Sequence, residues 1–220
     1  MRHPRLFTLF LLLLGEFAYN GGGIHAVHAQ NTLDSVATAA LLVQIRQAAQ
    51  SVKNLTCNFE QIRTSNLLKD SIFSKGKMFF RAPNELLWSY YEPKKIRFVV
   101  TSSGEVNIHV DGKEKNLGST QKKYLKQMSR FLLNLISGNY LNALNDFRTE
   151  IAPQNGGGYI LHLYPKKKEL RRLFKQFILQ LRPDLQSATS VTLVEKRGDR
   201  THILFRQLVL NAPVDSTLFR

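Results

Sequence analysis

The chain has 220 residues, with 31 Lys and Arg against 16 Asp and Glu, a net charge of +15 and a single cysteine. One cysteine excludes an intramolecular disulfide, so a chain of this length must rely on a packed core and suits one domain. The basic excess points to an acidic partner, an anionic membrane surface or nucleic acid.

In chain order, residues 1–29 read as an address. Arg2, His3 and Arg5 give a positive start, residues 6–14 are almost entirely apolar, and Val27-His28-Ala29 offers a small-residue cleavage site before Gln30. That is the layout of a secretory signal peptide. The apolar run is about half of what a bilayer span requires, and Cys57 lies far past it. Neither a retained anchor nor a lipidated N-terminus is therefore expected. The expectation is a leader, 1–29, followed by one exported domain, 30–220, that does not span a membrane and behaves as a monomer. Without Arg2, Arg5 and Glu16, that domain keeps 29 basic and 15 acidic residues, a net charge of +14. Export removes nucleic acid from the partner classes.

Residues 33–52 predict a helix: Leu33, Val36, Ala37, Ala40, Leu41, Ile45 and Ala48 recur at three- and four-residue spacing. Strands follow. In 54–64, Leu55, Cys57 and Phe59 alternate with Thr56, Asn58 and Glu60. Residues 71–81 and 85–91 make a hairpin about Ala82-Pro83-Asn84, because Pro83 lacks an N–H and Asn84 tolerates turn dihedrals. Read with period two, Met78 and Phe80 share one face, and Leu86, Trp88 and Tyr90 share another. Glu85, Leu87, Ser89 and Tyr91 fall opposite. This hairpin, which carries the only Trp, is a greasy floor: either ordinary core or the lining of a ligand cavity. Residues 95–101 add Ile96, Phe98 and Val100 on one face. A turn at 102–104 leads into 105–110, and Asp111-Gly112 signals a tight turn.

The period then changes. Over 121–137, Tyr124, Met128, Phe131, Leu132, Leu135 and Ile136 form an apolar helical face, with Lys122, Lys123, Lys126, Gln127, Arg130 and Asn134 on the other. Gly138 closes this helix, and 139–144 adds a short turn. Such a helix, inserted among strands, must bury its apolar side against the sheet. Strands resume at 147–152, 159–164, 173–182, 189–196 and 201–210, with turns at Gly156-Gly157-Gly158 and Gly198-Asp199. About ten strands and two helices thus predict a mainly β chain with α: one antiparallel meander that curls toward a barrel. The pattern leaves its closure open.

Catalytic chemistry is thin. His109, His162 and His202 sit singly in separate strands, Cys57 has no local partner, and no acidic pair forms. No catalytic residue, metal site or cofactor is expected, and the chain does not read as an enzyme. Two basic clusters, Lys122, Lys123, Lys126 and Arg130, and then Lys166, Lys167, Lys168, Arg171, Arg172 and Lys175, suggest a surface that steers docking.

Several motifs resemble one family. They are L-T-C-N-F-E-Q over 55–61, G-K-M-F-F-R-A-P-N-E-L-L-W-S-Y-Y-E-P over 76–93, and V-E-K-R-G-D-R-T-H-I-L-F over 194–205. In order and spacing the chain resembles the outer-membrane lipoprotein carrier family, the LolA-like periplasmic lipoprotein chaperones, over nearly its whole length past the leader. The resemblance implies an incomplete, curved antiparallel half-barrel. Its apolar concave face would be covered by the N-terminal helix and by the inserted helix acting as a lid.

It implies a periplasmic carrier that shields lipoprotein acyl chains, or a related lipid, and moves them toward the outer membrane. An inner-membrane release complex and an outer-membrane acceptor would be its partners. The cavity residues would be Phe59, Met78, Phe80, Leu86, Trp88, Tyr90, Ile96, Phe98 and Val100. The lid would present Tyr124, Met128, Phe131, Leu135 and Ile136. Family members often carry a basic latch before the motif proline; here that place is Ala82, and Arg81, one position earlier, is the candidate. A one-residue shift turns a strand side chain to the opposite face. A lipid-responsive sensor or binding subunit of an envelope complex is the second reading, and an envelope acyl hydrolase the third.

Overall fold

The computed structural model describes residues 32–65, 71–119, 121–122, 125–126, 133 and 146–220. Helix α1 (Ser35–Gln50) starts where Asp34 accepts a hydrogen bond from the Ala37 N–H at 2.8 Å, a side-chain cap for the first turn. Its buried stripe is Leu41, Leu42, Ile45 and Ala49. Val36, expected on that stripe, is 78% exposed. The helix is rotated from the ideal wheel so that Leu42 and Ala49 face the sheet.

Eleven strands follow: β1 (Asn54–Thr64), β2 (Ser71–Arg81), β3 (Glu85–Glu92), β4 (Ile96–Val100), β5 (Val106–Val110), β6 (Lys113–Glu114), β7 (Phe147–Pro153), β8 (Tyr159–Pro165), β9 (Phe174–Leu181), β10 (Ala188–Glu195) and β11 (Arg200–Leu210). They form one sheet in the order β6-β5-β4-β3-β2-β1-β11-β10-β9-β8-β7, and every described pairing is antiparallel. The outermost strands β6 and β7 do not pair, so the sheet is open. The expected meander is present, divided into two halves joined by the first and last strands.

The short β6 goes beyond the ten strands expected. It forms because Asp111 and Gly112 both take positive φ, the backbone of a tight hairpin turn. A helical turn, α2 (Lys168–Leu173), occupies the basic cluster that reads in sequence only as a charge run, with Leu170 and Leu173 half-buried three residues apart.

Alternation holds along the centre of the sheet. On β1, Leu55, Cys57, Phe59, Gln61 and Arg63 are buried. Their register partners Phe80, Met78, Gly76, Ser74 and Ile72 on β2 share the same face. Residues from β5, near one edge, and from β7, at the other, join a single apolar cluster with α1, so this face is the concave one. Gly76 is required there: a Cβ would collide with the Phe59 ring and the Ser89 carbonyl. On the convex side a second, smaller cluster joins Leu87, Val99 and Phe219, packed by Phe79, Val214 and Leu218. The C-terminal 3-10 turn Ser216–Phe219, capped by Asp215, supplies its cover.

Candidate functional site

The nine residues expected to line a cavity share the concave face. Phe59, Met78, Phe80, Leu86, Trp88, Tyr90, Ile96, Phe98 and Val100 are all buried in the main cluster. Cross-strand register aligns them in rows: Met78 opposite Trp88, Trp88 opposite Phe98, and Phe80 opposite Leu86, which faces Val100. Aromatic rings knit the rows together. Phe59 lies 4.6 Å from Trp88 and 5.1 Å from Tyr90 between centroids, the latter edge-on, and Trp88 meets Phe205 at 6.2 Å.

A cavity of about 40 Å³ opens among these side chains, bordered by Met78, Trp88, Val191, Ile203, Phe205 and Leu208. Of the nine expected residues, only Met78 and Trp88 border it. Most of the wall comes from β9–β11, which the reading centred on the hairpin missed. The signal was present: Leu179, Val191, Ile203 and Phe205 hold the inward parity of their strands.

Cover comes from helix. Leu41, Leu42, Ile45 and Ala49 of α1 are buried, the first three within the main cluster, and the Leu33 N–H donates to the Ile151 carbonyl at 2.8 Å, tying the helix entrance to β7. In the inserted segment residues 119, 121, 122, 125, 126 and 133 are helical, and Leu125 and Leu133 are buried in the same cluster. Neither leucine lies on the stripe inferred from the sequence. Tyr124, Met128, Phe131, Leu135 and Ile136 lie outside the described residues. Arg81 sits on the convex side. It pairs with Glu85 and stacks 5.2 Å over the Phe219 ring, so its guanidinium is held by the C-terminal turn. This is the face opposite to Phe80, as the one-residue shift requires.

One end of the concave face is polar. Arg63 is buried between Glu195 (2.6 Å) and Asp199 (2.9 Å). One row further in, the Tyr90 hydroxyl donates to Gln61 Oε1 at 3.0 Å. Burial pushes the Tyr90 phenol well above its usual range and the Cys57 thiol up to about 12, so both are neutral and chemically quiet at physiological pH. His162 is hydrogen-bonded to Gln176 and His202 to Thr192, each shifted downward by burial. Among the described residues no group of three His, Cys, Asp or Glu is placed to hold a metal, and no helix is long and apolar enough to cross a membrane.

These elements define a class of architecture: an open antiparallel sheet with an apolar concave face under helical cover. Comparison with known proteins narrows the class. The family model described as outer membrane lipoprotein carrier protein LolA matches residues 50–220, and the chain belongs to that family. It is 26% identical over 195 residues to the outer-membrane lipoprotein carrier protein of Pseudomonas fluorescens, covering 88% of this chain and 90% of that one. At family level these are carriers, not enzymes. Among solved structures it resembles a LolA superfamily protein of Nitrosomonas europaea (8% identity, 83% of this chain and 96% of that one, TM-score 0.42). It also resembles the Mycobacterium tuberculosis lipoprotein LppX (13% identity, 81% and 98%, TM-score 0.46).

Proposed function

We propose that this protein is a periplasmic carrier that takes the acyl chains of a lipoprotein, or a related lipid, onto its concave face and moves them toward the outer membrane. The observation that carries this reading is the continuous apolar face running from β5 to β7 beneath α1 and the inserted helix. Each methylene removed from water there contributes about 0.8 kcal/mol. The present cavity, about 40 Å³, is far below the roughly 300 Å³ at which ligand pockets begin. Acyl chains therefore enter only as the helical cover yields, and cover and lipid compete for one surface. That competition is what a carrier needs, because it must release what it binds. The lid role of the inserted helix, the cavity roles of the nine concave residues, and an inner-membrane donor and outer-membrane acceptor as partners belong to this proposal.

Mass spectrometry of lipid extracted from protein isolated from the periplasm tests it. Acylated lipid or lipopeptide is the expected finding. Lipid-free protein that also fails to take up acyl probes would reject it. N-terminal sequencing of the same sample should read from Gln30 or close to it; an intact 6–14 segment in the membrane fraction would reject export and cleavage.

A further inference from the structure

We propose that Gln61, Ser74 and Thr201 form a hydrogen-bonding subsite for the neutral carbonyl oxygens, ester or amide, at the head of an acylated ligand. The inference rests on the lipid-carrier reading and says which end of the container holds the head of the cargo.

The three residues are neighbours on the concave face. Gln61 pairs with Ser74 of β2 on one side and with Ile203 of β11 on the other, while Thr201 pairs with Arg63. Directly opposed side chains have Cβ atoms about 5 Å apart and diagonal ones about 7 Å. Gln61 stands between the other two, so one carbonyl can meet Gln61 and Ser74 and a second Gln61 and Thr201, as the paired carbonyls of a diacyl head allow. They are also deeply buried, at 1%, 0% and 2% exposure. Even so, Gln61 Nε2, Ser74 Oγ and Thr201 Oγ1 have no hydrogen-bond partner among the described residues. Buried polar atoms left this way are uncommon and costly. Of the seven buried side-chain atoms left this way among the described residues, these three fall on adjacent strands at the polar end of the concave face, and that grouping calls for a ligand.

Chemistry selects the ligand class. The Tyr90 hydroxyl already occupies Gln61 Oε1, which leaves the amide N–H groups; with two hydroxyls they form a set of donors. Donors want an acceptor. A phosphate or carboxylate would need positive charge, but the adjacent Arg63 is held by both Glu195 and Asp199. A neutral carbonyl fits without it. Ile203, opposite Gln61, borders the cavity, so a hydrocarbon tail leads from the donors into the apolar wall. From Gln61 to Leu55 the strand covers about 20 Å, the length of a long acyl chain.

The test compares dipalmitoylglycerol with its dihexadecyl ether counterpart, which has the same tails and no carbonyls. Both compete for the full exported chain carrying a bound apolar fluorophore, anilinonaphthalene sulfonate. Wild type should prefer the ester about tenfold, the scale of one or two hydrogen bonds. Ser74→Ala with Thr201→Val removes only hydroxyls, and should abolish the preference while leaving ether affinity unchanged. Gln61→Leu should do the same, and the hydroxyl variants decide the matter should loss of the Tyr90 partner unfold it. Equal affinity of wild type for ester and ether, or a preference that survives in the hydroxyl variants, overturns the subsite while leaving the carrier reading intact. Failure of both lipids to displace the fluorophore from wild type overturns the carrier reading, and the subsite with it.

Discussion

Two leucines side by side on β3 carry different duties. Leu86 faces the concave cluster, while Leu87, on the opposite face, is only 3% exposed because the C-terminal turn covers it. A charge at either position would be an unpaired charge in an apolar site, so Leu87 cannot serve as a solvent-facing control for Leu86. Ile62, on the convex face of β1 and 42% exposed, can. Leu86→Glu should abolish acyl binding and lower Tm, whereas Ile62→Glu should change neither by much. A Leu86→Glu protein that melts and binds like wild type would refute the concave assignment.

Cys57 gives a pH dependence with a definite sign. Its thiol lies at about 12 in the folded protein against an ordinary value of 9.0, so above pH 9 the unfolded chain loses a proton that the folded chain keeps. Stability from this group is complete below pH 9 and falls above it by up to about 1.4 kcal/mol per pH unit. Urea titrations from pH 8 to 10 should show that fall in wild type, and a shallower one in Cys57→Ala.

At the level of elements, β1 to β5 were legible because period two survives wherever one face is buried. Phe59, Met78, Trp88 and Phe98 needed nothing else. Gln61 was passed over: it has the parity of Phe59 and is buried, but a glutamine in a strand reads as solvent-facing until its register is known. The short C-terminal turn was not legible, since Val214, Leu218 and Phe219 are too few to show a period. Phe219→Ala should cost about 3 kcal/mol, as for a buried aromatic, and should leave acyl binding unchanged. Denaturant midpoints together with probe uptake check both halves of that statement.

Helices were read less well than strands. The ideal wheel misplaced Val36 and passed over Leu125 and Leu133, because small rotations decide which residues of a covering helix meet a curved sheet. Those two leucines allow a test of the lid. Leu125→Ala with Leu133→Ala removes two buried anchors of the inserted helix, each worth about 2–3 kcal/mol. If that helix exchanges with ligand, the open population grows, and stopped-flow uptake of an acyl probe should accelerate by tenfold or more. A fixed core helix would show only lost stability.

For the whole molecule, the order of strands decides when the fold can exist. Its middle seam joins β1 to β11, the first strand to the last. The chain that leaves β6 at one rim must reach β7 at the other before the second half can begin. Each half can assemble from neighbouring hairpins, but the two cannot fuse until the final strand has been delivered. Contacts of such long sequence separation form slowly, typically in milliseconds to seconds. Refolding followed by Trp88 fluorescence, which reports on the seam through Phe59 and Phe205, should be slow and should fail in a chain ending before β11. A chain threaded across a membrane N-terminus first would thus lack its middle seam until β11 had arrived.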